Sequence, residues 1–105
     1  MEVDYTFLIT EDARNDLISI ERYISQNLAN PIAARNFNAN FRRIMILTCS
    51  NPFMWSTVKS KHSPDKTVRK IPLKNYLIFY RPIEETREIQ VLRVIPGMME
   101  YEDFL

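Results

Sequence analysis

Few residues in this sequence are suited to metal or redox chemistry. Among its 105 residues there is one cysteine, Cys49, and one histidine, His62. A lone cysteine excludes an internal disulfide and fits a reducing compartment. One cysteine and one histidine cannot supply the ligand set of a zinc site, and the sequence has no glycine-rich phosphate-binding loop. We therefore predict that the protein uses no metal and no cofactor.

Long apolar runs and targeting segments are also absent. No apolar run reaches the roughly 20 residues that cross a bilayer, and the first residues lack the basic start and apolar core of a secretory signal. The one glycine, Gly97, directly follows a predicted strand, so we expect a positive φ there. The absence of a bilayer-length run and of a secretory signal predicts a cytoplasmic protein that does not associate with a membrane. The length of 105 residues predicts a single domain over residues 1–105.

The net charge of +1 conceals an uneven distribution of charged residues. Acidic residues dominate the start and the end of the chain, whereas the stretch from Trp55 to Arg81 is basic apart from Asp65. Its basic residues are Lys59, Lys61, Lys66, Arg69, Lys70, Lys74 and Arg81. This pattern indicates contact with a polyanion or an acidic protein surface, unless these residues form only a well-solvated loop.

The first half of the chain predicts a strand followed by two helices. Tyr5 to Ile9 has the residues of a strand, and Thr10 can cap a helix whose apolar stripe extends to about Leu28. A second helix begins at Pro31, a position that tolerates proline, and runs to about Cys49. Because the link is short, the helices should form an antiparallel hairpin.

The second half predicts three antiparallel strands, at Val68 to Ile71, Tyr76 to Arg81 and Glu88 to Ile95. Pro72 and Pro82 are expected to end the first two. The order β-α-α-β-β-β predicts an α+β fold, in which a small, mostly antiparallel sheet carries a helical hairpin on one face.

Strict alternation would place Ile89, Val91, Arg93 and Ile95 on one face of the last strand. Neither face of the sheet is cleanly polar, so both should be covered. The second face would be covered by a chain terminus or a partner, or would belong to a two-sided internal core. The charge of Arg93 then needs either a structural ion pair with a carboxylate or a groove for a ligand.

Two segments of the chain are similar in sequence to members of a known family. They are RKIPLKNYLIFYR, from Arg69 to Arg81, and IQVLRVIPG, from Ile89 to Gly97. With the order of elements along nearly the whole chain, they resemble the RelE/ParE superfamily of toxins from bacterial type II toxin–antitoxin modules, and the ParE branch in particular. The resemblance implies growth arrest, neutralisation by a cognate antitoxin and a hetero-oligomeric complex with that antitoxin.

The resemblance implies one of two targets. ParE-like members inhibit DNA gyrase by binding, without a hydrolytic site, whereas RelE-like members cleave mRNA on the ribosome. The RelE pattern has an arginine after the tyrosine of the middle strand, where this chain has Leu77 after Tyr76, and basic residues after the last glycine, where it has Met98-Met99-Glu100. The run typical of many ParE members after the last strand, His-Gly-Ala-Arg-Asp, is also replaced, with only Gly97 and the acidic character kept.

We therefore expect a gyrase-inhibiting toxin with no catalytic residue, and the candidate target-binding residues are Arg69, Lys70, Arg81, Arg93, Gly97, Met98, Met99 and Tyr101. The alternative endoribonuclease would use Arg69, Arg93, Tyr101 and His62, with Lys59 and Lys61 nearby. A third possibility is a non-toxic module that still binds an antitoxin. The antitoxin should present acidic and apolar side chains to the basic strands and the helical hairpin.

Overall fold

The computed structural model describes residues 4–58 and 67–98. It contains a four-stranded sheet and a helical hairpin, in the predicted α+β order. The strands are β1 (Thr6–Ile9), β2 (Arg69–Leu73), β3 (Tyr76–Ile83) and β4 (Glu88–Pro96). Helix α1 spans Glu11–Arg22 and continues as a π-helical turn over Tyr23–Asn27, and helix α2 spans Pro31–Ser50.

The predicted helix starts are confirmed by their caps. The Thr10 hydroxyl accepts a hydrogen bond from the backbone N–H of Ala13 at 3.2 Å, and the Asn30 side chain accepts one from the N–H of Ala33 at 3.0 Å. Each cap satisfies a backbone donor that the first turn of a helix leaves unpaired. The caps fix where the hairpin leaves the sheet and where it reverses.

The sheet order is β1-β4-β3-β2. Strand β1 pairs in parallel with β4, while β4 with β3 and β3 with β2 pair antiparallel. The sheet is therefore mostly antiparallel, as predicted, and its first strand joins its last. Because β1 ends opposite Val91, no strand of residues 4–58 and 67–98 lies beside the second half of β4 on that side.

The two prolines do not end their strands. Strand β2 continues through Pro72 to Leu73, and β3 continues through Pro82 to Ile83. Among the described residues, β2 is the outermost strand of the sheet, with a single further bridge from Thr57 to Arg69, and the part of β3 beyond Tyr80 pairs only with β4. A proline is tolerated at such edge positions because the ladder there lacks a partner on one side.

A β-bulge in β4 overturns the predicted alternation. Tyr80 is paired with Val91 and Phe79 with Arg93, so Leu92 has no counterpart on β3. The extra residue reverses which face the following side chains take. Val91 and Val94 consequently pack in the main core, whereas Ile95 packs on the opposite face. Residues 89, 91, 93 and 95 therefore do not share one face.

Both faces of the sheet are covered, as expected. The main core lies between the sheet and the helices and includes Phe37, Phe41, Met45, Ile78 and Tyr80. A second, smaller cluster contains Val58, Val68, Phe79 and Ile95. Val58 belongs to the connection after α2, so this part of the connection covers the second face and gives the sheet a two-sided core.

Positive φ angles occur where the sequence did not predict them. Gly97 does not have one, which contradicts the expectation from its place after β4. Ala29, Lys74 and Arg87 have φ values of 49°, 55° and 52°, and each lies in a turn between two elements. The tight turns impose this conformation on non-glycine residues, for which it is energetically unfavourable.

Candidate functional site

A wide groove lies between α1 and the end of β4. Its volume is about 840 Å³, and the tip of the β2–β3 hairpin closes one end. Helix α1 and the π turn contribute Asp16, Ser19, Ile20 and Tyr23, and the hairpin and β4 contribute the remaining residues: Pro72, Lys74, Asn75, Tyr76, Leu77, Arg93, Val94, Ile95, Pro96, Gly97 and Met98. Most of these side chains are apolar, which is typical of a surface that binds a partner.

A second groove of about 640 Å³ adjoins the first between the helical hairpin and the same β2–β3 turn. The two grooves share Tyr23, Lys74, Asn75 and Tyr76. The second one continues past Phe37 to Arg43 on α2. We refer to the two grooves together as the trough. Their shared residues form its junction.

Aromatic packing and one hydrogen bond fix the floor of the trough. The rings of Phe37 and Tyr76 meet edge to face, with centroids 5.2 Å apart. The N–H of Gly97 donates to the carbonyl of Asn75 at 2.8 Å, which ties the end of β4 to the hairpin turn. Burial, and secondarily the neighbouring Tyr23, raises the pKa of the Tyr76 phenol, so this side chain remains neutral in the physiological range.

The junction is built from two irregular backbone segments. On the helix side, the π turn begins at Tyr23, whose carbonyl accepts a hydrogen bond from the N–H of Leu28, five residues on, at 3.1 Å. The Tyr23 side chain is 48% exposed although it is large and mostly apolar. On the sheet side, Lys74 has its φ of 55° and an exposed side chain. Irregular or strained backbone of this kind is frequent at functional sites.

Arg93 lines the trough and is held by an ion pair, one of the two roles expected from the sequence. Its Nε and one terminal nitrogen donate to the two oxygens of the Asp16 carboxylate at 2.7 and 2.9 Å. The hydrogen bond to Asp16 is the main cause that raises the pKa of Arg93. The same carboxylate accepts from the N–H of Val94 at 2.9 Å. Asp16 thus accepts a hydrogen bond from a backbone N–H of β4 that lies beyond the end of the pairing with β1.

Arg69 and Arg81 lie at a different place, around a groove of about 520 Å³ beside Phe53. The Arg69 guanidinium donates to the carbonyls of Phe53 and Trp55, and its carbon lies 5.2 Å from the centre of the Phe53 ring. Arg81 donates to the Thr67 hydroxyl at 3.1 Å. Arg69 therefore anchors the connection that follows α2.

The structure separates the residues that the sequence grouped as one site. Arg93, Gly97 and Met98 line the trough, whereas Arg69 and Arg81 line the groove beside Phe53. Lys70, on β2, pairs with Phe79 on β3 and lines neither the trough nor the groove beside Phe53. Arg69 and Arg93 thus share no cavity. Five further candidates lie outside the described residues: Lys59, Lys61, His62, Met99 and Tyr101.

Sequence reasoning missed Tyr23, Tyr76 and Lys74 as site residues. Tyr23 falls outside the apolar stripe of α1, and a large aromatic residue beside such a stripe was the available signal. Lys74 was counted only as part of a general basic region. Its position at the hairpin tip depends on the register of β2 and β3, in which Leu73 faces Tyr76.

The described residues contain no group of three His, Cys, Asp or Glu side chains that could hold a metal ion. Cys49 is buried, and this burial, followed by the charge of Asp4, raises the pKa of its thiol. A thiol of this kind is less reactive than an exposed one because the thiolate is disfavoured. In residues 4–58 and 67–98, no helix has the length and apolar character needed to cross a membrane.

A family comparison matches most of the chain. The family described as "ParE toxin of type II toxin-antitoxin system, parDE" matches residues 7–101. A comparison with curated proteins gives no significant match.

Solved structures have the same fold at low sequence identity. A chain from the ParDE toxin–antitoxin system of P. aeruginosa is 20% identical with a TM-score of 0.69, and the alignment covers 88% of this chain and 95% of that one. A chain from the RelBE2 toxin–antitoxin complex of Mycobacterium tuberculosis is 19% identical with a TM-score of 0.64, covering 90% and 99%. A mutant of the E. coli toxin RelE in the free state is 15% identical with a TM-score of 0.61, covering 91% and 86%.

Proposed function

Because this chain belongs to the ParE toxin family of type II toxin–antitoxin systems, we propose that it arrests growth by binding and inhibiting DNA gyrase, without a hydrolytic site of its own. A cognate antitoxin neutralises it. As a toxin of such a system it has an antitoxin partner, and the proposal concerns the target and the surfaces used.

The observation that carries the proposal is that the two arginines an endoribonuclease would use are already held by contacts within the chain. Arg93 is held by the carboxylate of Asp16, and Arg69 by the carbonyls of Phe53 and Trp55. A ribonuclease needs cationic side chains that converge on one phosphate, together with a group that moves protons. Arginines held in two separate grooves favour a toxin that acts by binding.

The trough supports the proposal for antitoxin binding. It is long and mostly apolar, and its charged lining residues are Lys74, Arg43 and the Asp16–Arg93 pair. Because the pair is internally neutralised, the trough presents an excess of positive charge. An amphipathic segment with acidic side chains is complementary to such a surface. The solved ParDE and RelBE2 structures come from toxin–antitoxin systems, and we extend that type of assembly to this chain.

The test is gyrase supercoiling in vitro with the purified, folded chain, scoring both inhibition and trapped cleaved DNA. The proposal expects inhibition that disappears when the antitoxin is added first. Lys70→Ala and Arg81→Ala change residues that do not line the trough, and both should weaken the inhibition. Arg35→Gln on α2 serves as a matched charge control.

No effect on gyrase by a folded chain would contradict the proposal. Cleavage within the codons of translated mRNA would then identify a ribosome-dependent endoribonuclease. Neither activity, together with tight antitoxin binding, would identify a non-toxic binding module.

A further inference from the structure

The junction of the trough combines two features that are unfavourable for the isolated chain. Tyr23 exposes an aromatic ring at the start of a π turn, and Lys74 holds a left-handed backbone conformation that lysine rarely adopts. Neither feature is required by the main core, since neither residue belongs to it. Both side chains line both grooves, so they face the same space from opposite walls.

We propose that Tyr23 and Lys74 are the specificity-determining residues for the antitoxin, and that they recognise a carboxylate flanked by apolar side chains. This proposal rests on antitoxin binding in the trough, as proposed above. The antitoxin's carboxylate meets the Lys74 ammonium, and an adjacent apolar side chain packs on the Tyr23 ring.

The π turn fixes the backbone at Tyr23, where α1 passes into the wider turn. Turns of this kind are frequent at functional sites. The wide turn closes through hydrogen bonds of Leu28 to Tyr23 at 3.1 Å and of Asn30 to Ile24 at 3.1 Å. Ile24 packs against the main core and also lines the second groove, whereas Tyr23 lines both grooves and belongs to neither core cluster. Tyrosines in such positions often dominate binding energy because they bury a large area at low entropic cost.

The hairpin turn is the reason that Lys74 can serve this role. Lys74 lies in the two-residue link between Leu73 and Tyr76, so its backbone is fixed by strand pairing on both sides. The adjacent Asn75 carbonyl is held by the N–H of Gly97. Within residues 4–58 and 67–98, Lys74 forms no ion pair. Lys74 thus occupies a position where the backbone conformation favours glycine. The presence of a lysine there points to a requirement for its positive charge.

The conformation of Lys74 gives a test in which stability and binding change in opposite directions. Lys74→Gly should raise the melting temperature, because glycine adopts positive φ without strain. The same substitution should weaken binding of the purified cognate antitoxin by about tenfold, measured by titration calorimetry. Lys74→Arg should restore affinity to within about threefold, since it keeps the charge.

The aromatic contact is tested in the same assay. Tyr23→Ala should weaken binding by about thirtyfold or more, whereas Tyr23→Phe, which keeps the ring, should stay within about threefold. Ile32→Ala is the matched control, because Ile32 is 67% exposed and lines neither groove of the trough. A further variant, Lys74→Gln, removes only the charge. The affinity that it loses for the antitoxin should become smaller as the salt concentration rises from about 0.05 to about 0.5 M, because screening weakens the charge contact.

Wild-type affinity in both Lys74→Gly and Tyr23→Ala would overturn this proposal. So would an affinity loss for Lys74→Gly that Lys74→Arg does not recover. These results do not depend on the gyrase assay, because they use only the toxin and the antitoxin. Overlapping 15-residue peptides of the same antitoxin would identify the segment, and the proposal requires the strongest peptide to contain an acidic residue between apolar ones.

Discussion

Asp16 and Arg93 form an ion pair with two hydrogen bonds, of 2.7 and 2.9 Å, across 77 positions of sequence. The side chains are 16% and 23% exposed, respectively, so the pair is largely removed from water. The same carboxylate accepts the N–H of Val94. One acidic side chain thus joins α1 to β4 just beyond the point where the pairing of β1 with β4 ends.

Removing the Asp16 carboxylate should destabilise the fold. Asp16→Ala removes the ion pair with Arg93 and the acceptor for the N–H of Val94, and we expect a loss of about 2–3 kcal/mol in the free energy of unfolding. Urea denaturation measures it, with Glu21→Gln on the exposed side of α1 as the control. A loss below about 0.5 kcal/mol would mean that the pair behaves as a solvated surface contact.

Arg69 should act on the connection that follows α2. Arg69→Ala removes hydrogen bonds to the carbonyls of Phe53 and Trp55, and we expect a loss of stability of about 1–3 kcal/mol. Trp55 is the only tryptophan in the chain, and its indole donates to Thr48 at 3.1 Å. Its fluorescence should therefore shift to longer wavelength in this variant. Arg81→Ala should leave the Trp55 emission unchanged; equal shifts in both would refute the anchoring role.

Tyr80 should make stability depend on pH above 10. Its side chain is fully buried and donates to the Pro52 carbonyl at 2.8 Å. Burial raises its pKa to about 12 from the ordinary 10.0, although the nearby Arg69 and a backbone hydrogen bond with Trp55 oppose the shift. Because the folded-state pKa is the higher one, the stabilisation is complete below pH 10 and is lost as the pH rises through 12, by at most about 2.7 kcal/mol.

Tyr80→Phe separates this effect from other titrations. The variant should be about 1 kcal/mol less stable than the wild type at pH 8, where it lacks the hydrogen bond. Between pH 10 and 12 the wild type should lose its advantage, because only its unfolded state gains from ionising this phenol. Denaturation curves measured across this range should therefore converge and cross. Parallel pH profiles would show that Tyr80 does not titrate with the predicted shift.

Gly97→Ala should be tolerated. A Cβ at this position would lie 3.4 Å from the Asn75 carbonyl oxygen and 3.8 Å from the Leu77 side chain, which are ordinary contacts. Since φ is not positive, alanine fits the backbone, and we expect a change of at most about 1 kcal/mol, with stabilisation favoured by the lower entropy of the unfolded chain. Thermal melting checks this. A large loss would contradict the observed backbone conformation.

The sequence predicts the order and type of the elements because these depend on local patterns. The caps at Thr10 and Asn30 and the apolar stripe of α1 are local signals, and the structure confirms them. The bulge at Leu92 has no such local signal, since alternation assumes an unbroken ladder and the bulge arises from the pairing of β3 with β4. The expectation that Pro72 and Pro82 end their strands is wrong for a similar reason, because edge positions are known only once the strand order is known.

The candidate site was predicted only in part. Arg93, Gly97 and Met98 do line the trough, since Arg93 lies on β4 and the other two directly follow its end. Arg69 was grouped with Arg93 on charge alone, and the strand register separates them. Tyr23 and Lys74 depend on a π turn and a left-handed residue, which have no reliable sequence signal when the residues are not glycine or asparagine.

The parallel pairing of β1 with β4 has a consequence for synthesis. Ribosomes make the chain from its N-terminal end, so β1 and the helical hairpin exist before residues 88–96, which β1 needs as its partner. Until then the main core lacks Ile89, Val91 and Val94, and one wall of the trough is missing. If the antitoxin binds the trough as proposed, a nascent chain offers it no complete surface until the residues of the trough up to Met98 have been made.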